Sequence, residues 1–118
     1  MRANLINKKY SAEVIKIGNK LLKTTCRKAI ERSGYTEGPY KHVKCSFKSA
    51  KKFFESVKRN KKLYEVWLDL TKKYLESGKE YSLRPTFDRV DELGNYCIKN
   101  IQILTFGQNA SKARKKCK

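Results

Sequence analysis

The sequence predicts a small α+β protein, mainly helical over residues 1–80 and arranged as strand, strand and helix over 81–118. Three observations predict it. Apolar residues recur at helical spacing through most of the first two thirds of the chain. Two short apolar runs, near 86–90 and 98–104, flank a Gly94-Asn95 turn. The stretch Thr105-Phe-Gly-Gln108 then has the pattern that opens a helix. A chain of 118 residues suits one compact domain and leaves no room for two ordinary ones.

The first helix is expected over 11–32. Ser11 can cap its start, Tyr10 and Ile15 can staple across the cap, and Gly34 can end it. Val14, Ile15, Leu21, Leu22, Cys26, Ala29 and Ile30 form its apolar stripe. Lys16, Lys20, Lys23, Arg27 and Lys28 form a basic outer face. Gly18 lowers helix propensity, so an irregular first turn or two is expected there.

Residues 33–40 carry two glycines and a proline and read as a loop; 41–47 read as a short strand or an extended lead into the next helix. Phe47, Ala50, Phe53, Phe54 and Val57 follow helical spacing, and 59–62 read as a turn. A further helix is expected over 62–77, with Leu63, Trp67, Leu70 and Tyr74 inward and Gly78 as its stop. Trp67 on such a stripe is a core residue. Thr86 to Val90 form a strand that Pro85 can begin, 91–96 a loop, and Ile98, Ile101, Ile103 and Leu104 a second strand region. Thr105 as N-cap and Gln108 three residues on form a capping box. The helix they open ends in Lys112, Arg114, Lys115, Lys116 and Lys118, charges that suit its negative C-terminal pole.

Charge narrows the function. Lys and Arg number 29 against 11 Asp and Glu, a net +18, with 16 of the cations in the first 60 residues and 13 in the rest. A domain this basic repels itself unless a polyanion or salt screens it, and counterion release favours phosphates. Nucleic acid is the expected partner. Charge alone leaves open an RNA-binding protein, ribosome-associated or otherwise, and a merely lysine-rich soluble protein. No segment is apolar and long enough to insert into a membrane. The cysteines, Cys26, Cys45, Cys97 and Cys117, include no CxxC pair, and His42 is the single histidine, so zinc is not expected. The N-terminal residues lack the continuous apolar run of a secretory signal, so reduced thiols and a cytoplasmic location are expected.

Strand, loop, strand and helix can aim oxygen ligands at one cation. Asp88 lies on the first strand and Asn109 on the first turn of the helix, and both are hard ligands suited to Mg²⁺ or Mn²⁺. From spacing alone Asp88 is equally a turn residue or a partner of Arg84, and Asn109 an ordinary exposed helix residue.

The segment PTFDRVDELGNYCIKNIQILTFGQNASKAR, residues 85–114, resembles the C-terminal core of phage-type HNH endonucleases, including homing endonucleases. The likeness rests on the Asp88-Arg89 run, Gly94-Asn95-Tyr96, Asn100, the apolar run, Thr105 and Gln108-Asn109. Upstream, the spacing of RKAIERSGY and KHVKCSF is similar but less specific.

The resemblance implies a ββα-metal core over 81–118 and a DNA-binding protein that nicks double-stranded DNA with Mg²⁺ or Mn²⁺. It assigns metal binding to Asp88 and Asn109 and bracing of the loop to Asn100; the basic charge makes Arg84, Lys99, Lys112, Arg114, Lys115 and Lys116 the expected nucleic-acid contacts. Arg89 stands at the position that is histidine, the general base, in better-known members, although other members carry Asp-Arg there. Arginine stays protonated and cannot take a proton from water, but it can stabilise charge on a scissile phosphate. His42 and Asp91 are the other candidate bases. The alternative is a catalytically inactive protein of this fold that binds nucleic acid or acts on a phage's host. A phage origin would place it in the bacterial cytoplasm.

Overall fold

The computed structural model describes residues 9–33, 47, 49–90 and 96–116, excepting the side chains of 32, 33 and 113–116. The expectations for 34–46 and for the 91–95 turn, including His42, Cys45 and Asp91, lie outside the described residues, as does Cys117. Three helices, α1 (Ala12–Ser33), α2 (Ala50–Arg59) and α3 (Lys61–Glu76), precede two strands, β1 (Pro85–Arg89) and β2 (Ile101–Thr105), and a last helix, α4 (Phe106–Lys116). Short 3-10 turns at Tyr81–Leu83 and Ile98–Asn100 lead into the strands. The strands pair antiparallel, with Pro85 opposite Thr105 and Arg89 opposite Ile101. The architecture is small and α+β, mostly helical.

Local chemistry sets each boundary. Ser11 caps α1, its Oγ accepting from the Val14 amide at 3.2 Å. The expected irregularity at Gly18 is absent: α1 is continuous through it. Glycine is needed there for closeness, because a Cβ would lie 2.8 Å from Leu68 Cδ2 on α3. The Trp67 indole N–H donates to the Gly18 carbonyl at 2.8 Å, tying the two helices together at this close contact.

The turn expected over 59–62 shrinks to one residue. Asn60 ends α2 by donating its N–H to Ser56 and Val57 carbonyls, and starts α3 by accepting from the Leu63 amide at 3.2 Å. Helix α3 stops at Gly78, whose φ of +77° is strained for other residues, and the Lys79 amide closes back on the Tyr74 carbonyl.

The buried face of α3 is Tyr64, Trp67, Leu68 and Thr71, not the expected Leu63, Trp67, Leu70 and Tyr74, of which all but Trp67 are half-buried. Two polar groups are drawn in because each finds a partner: Thr71 Oγ1 donates to the Trp67 carbonyl at 2.8 Å, and Tyr64 Oη donates to Asn19 Oδ1 at 2.7 Å.

These faces share one core with Leu22, Cys26 and Ala29 of α1, Phe53 and Val57 of α2, and Phe87, Ile101 and Ile103 of the strands. Phe87 ties sheet to helices, its ring 5.2 Å from that of Phe53 and 5.4 Å from that of Trp67. Side chains of this size contribute ~1.5–3 kcal/mol each on full burial. Ile98 lies in a 3-10 turn, so the second strand is shorter than the apolar run suggests.

The candidate cleft

Alternation along β1 decides what the strand offers. Pro85 and Phe87 are buried, whereas Thr86 and Asp88 face the other way, toward α4. Helix α4 is placed on that face by its own start. Thr105 Oγ1 accepts from the Gln108 amide at 3.1 Å, and Gln108 Oε1 accepts from the Thr105 amide at 2.9 Å, a complete capping box. The Phe106 amide, another donor at the helix start, reaches the Arg84 carbonyl at 2.8 Å.

One turn apart on α4, Asn109 and Lys112 then reach β1. Asn109 Nδ2 donates to Thr86 Oγ1 at 3.0 Å and to the Phe87 carbonyl at 3.1 Å. Lys112 Nζ pairs with Asp88 Oδ2, which also accepts from Gln102 Nε2 at 2.8 Å. Gln102 is the residue directly opposite Asp88 across the sheet. Asp88 is therefore ion-paired, with Lys112 rather than Arg84.

Asp88, Arg89 and Asn109 line one cleft of about 370 Å³. Arg84 lines it too, and Lys28 joins from α1 across the opening. Among its described lining residues three cations, Lys28, Arg84 and Arg89, face one carboxylate, Asp88. The Arg89 guanidinium lies 5.5 Å from the centroid of the Tyr96 ring.

Asn100 sits beneath β1's end: its carbonyl accepts from the Val90 amide at 2.8 Å, and its own amide donates to the Cys97 carbonyl at 2.9 Å. Lys99 is exposed beside it and outside the cleft lining. The side chains of Arg114, Lys115 and Lys116 lie outside the described ones.

The donors as arranged do not fit a divalent cation. Among the described residues no three His, Cys, Asp or Glu side chains gather. The single cleft carboxylate has one oxygen on an ammonium and an amide, and Asn109 turns its amide nitrogen to the strand. An ammonium occupies the place beside Asp88 where a hard cation would sit.

Spacing along the chain did not find Lys28, Gln102, Tyr81 or Phe106, which the fold brings to this region. For Lys28 the basic outer face of α1 was a signal, though not one specific to this cleft. Among the described residues no helix is long and apolar enough to cross a membrane. No family model, curated protein or solved structure matches this chain.

Proposed function

We propose that this chain is an HNH-like nucleic-acid-binding protein that seats a phosphodiester of DNA in the cleft between α1 and β1. The observation that supports this best is the convergence of Lys28, Arg84 and Arg89 on one cleft in a chain of net charge +18. Guanidinium groups give forked hydrogen bonds to phosphate oxygens, and Lys28 adds a point charge from the opposite wall. Lys112 neutralises Asp88, which removes most of the repulsion that a carboxylate would exert on an entering phosphate.

Fluorescence anisotropy with a labelled DNA duplex at rising salt tests the reading. Affinity falls steeply with salt, and the slope of log K against log salt becomes shallower by roughly 0.9 for each phosphate the protein no longer neutralises. Lys28→Ala with Arg84→Ala frees the one phosphate of the cleft and makes it shallower by roughly that amount. An unchanged slope and affinity would refute a phosphate cleft. Equal or tighter binding of structured RNA would move the partner from DNA to RNA.

A second reading, a nickase dependent on Mg²⁺ or Mn²⁺, is favoured by one observation: Asp88, Arg89 and Asn109 line the same cleft. It requires Lys112 to leave Asp88. Conversion of supercoiled plasmid to open circle with either ion, lost in Asp88→Ala, would establish it; no conversion leaves a binding protein.

A further inference from the structure

The cleft has a second kind of wall. Tyr81 is 54% exposed and Phe106 41% exposed, the two aromatic rings among the large exposed apolar side chains of the described residues. They touch each other edge to face, with centroids 4.6 Å apart at 62°. Both line the cleft that holds the three cations. Their backbones are anchored: Tyr81 opens a 3-10 turn, and the Phe106 N–H donates to the Arg84 carbonyl. The Arg84 guanidinium itself lies 5.9 Å from the Tyr81 ring centroid.

The pair lies outside the buried core cluster, in which Phe53, Trp67 and Phe87 join the helices to the sheet. Two partly exposed aromatic rings beside a cationic cleft suit one use. Aromatic faces stack on nucleobases whatever the base, while adjacent cations hold the backbone. Bases inside a duplex are already stacked and paired, so a ring at the protein surface reaches only an unpaired one.

We infer that Tyr81 and Phe106 form a stacking platform for an unpaired nucleobase, so that the cleft takes single-stranded DNA, or the unpaired part of a branched or frayed duplex. This rests on the phosphate-binding reading and specifies the substrate class within it. Arg84 links the two parts, positioned to serve the phosphate and to cover the stacked ring.

The test compares three labelled ligands by anisotropy: oligothymidylate of about 12 nucleotides, an abasic phosphodiester chain of the same length, and a blunt duplex. The wild-type protein binds oligothymidylate at least about 5-fold tighter than the abasic chain, the lower end of what one stacked base contributes. Tyr81→Leu with Phe106→Leu abolishes that preference and leaves duplex binding within about twofold, whereas Tyr81→Phe keeps the preference. Equal binding of oligothymidylate and abasic chain by the wild type overturns the platform while leaving the phosphate cleft standing. A loss equal on all three ligands in the double variant also overturns it. Failure to bind any of the three at low salt overturns the platform together with the phosphate cleft. A leucine variant that changes oligomeric state, but not the base preference, would assign the rings to contact between protein copies and overturn the platform.

Discussion

Replacing Lys112 by methionine isolates what the ion pair does for the cleft. The side chains of Asp88 and Lys112 are 12% and 31% exposed, between a surface pair and a buried one. Exposed pairs contribute ~0–1 kcal/mol, and removing one partner of a fully buried pair costs ~3–5 kcal/mol. Asp88 retains the Gln102 amide, so it is not left without a partner. The expected cost is therefore ~1–2 kcal/mol. Unfolding entropy of ~2.1 cal/mol/K per residue makes ~1 kcal/mol worth ~4 °C in a chain of 118 residues. Lys112→Met then lowers Tm by ~4–8 °C.

The pairwise part comes from a double-mutant cycle with Asp88→Asn, whose amide oxygen still accepts from Gln102. A coupling of ~1 kcal/mol is expected from urea denaturation of the four proteins. The same variant tests the misfit to a cation. With Lys112 gone, Mn²⁺ at ten times its Kd adds ~1.4 kcal/mol of stability, a shift the wild type lacks. Additive single substitutions, with coupling below ~0.3 kcal/mol, would refute the role of the pair in holding α4 to β1. A Tm rise with Mn²⁺ in the wild type would refute the claim that Lys112 bars the ion.

Gly18→Ala, which raises helix propensity by ~1 kcal/mol, is expected to destabilise instead by ~1 kcal/mol net, because the new methyl meets buried Leu68 and Thr71; thermal melts decide it. Tyr10 loses stability at alkaline pH: burial, then its hydrogen bond to Asp69 and the charges of Asp69 and Glu65, raise its phenol well above the ordinary 10.0. The neutral phenol's contribution is fully present below pH ~10 and is lost as pH rises through the raised value. Tyr10→Phe should cost ~1 kcal/mol at neutral pH and flatten that alkaline decline in urea midpoints, while the buried phenol of Tyr64, also raised by burial, still contributes to it. Thr105→Ala removes one arm of the capping box and should lower stability by ~1 kcal/mol, with a fall in helical circular dichroism if α4 frays.

Elements whose determinants are local were legible in the sequence. Ser11, Gly78 and the Thr105–Gln108 box act on neighbours within a turn, and each boundary falls where those residues place it. The inward face of α3 was not legible, because hydropathy ranks Leu63 and Leu70 above Tyr64 and Thr71. Asn19, whose side chain makes Tyr64 burial cheap, is 45 residues away.

The cleft divides the same way. Asp88, Arg89 and Asn109 lie in one continuous segment and could be picked out together. The pairing of Gln102 with Asp88 depends on strand register, and the Lys28 wall on how α1 packs against β1. Lys112 shared its helix face with Asn109, but its pairing with Asp88 depends on how the last helix packs on the first strand.

Both walls of the cleft are rooted in one hydrophobic body. Ala29, beside Lys28 on α1, and Phe87, beside Asp88 on β1, are 2% and 8% exposed and belong to a single cluster. Widening the opening would mean prying those side chains into water. For the proposed phosphate ligand, association should then be paced by diffusion and attraction between charges, with no slow gating step between encounter and capture. Residence time, rather than arrival rate, should carry the differences among ligands.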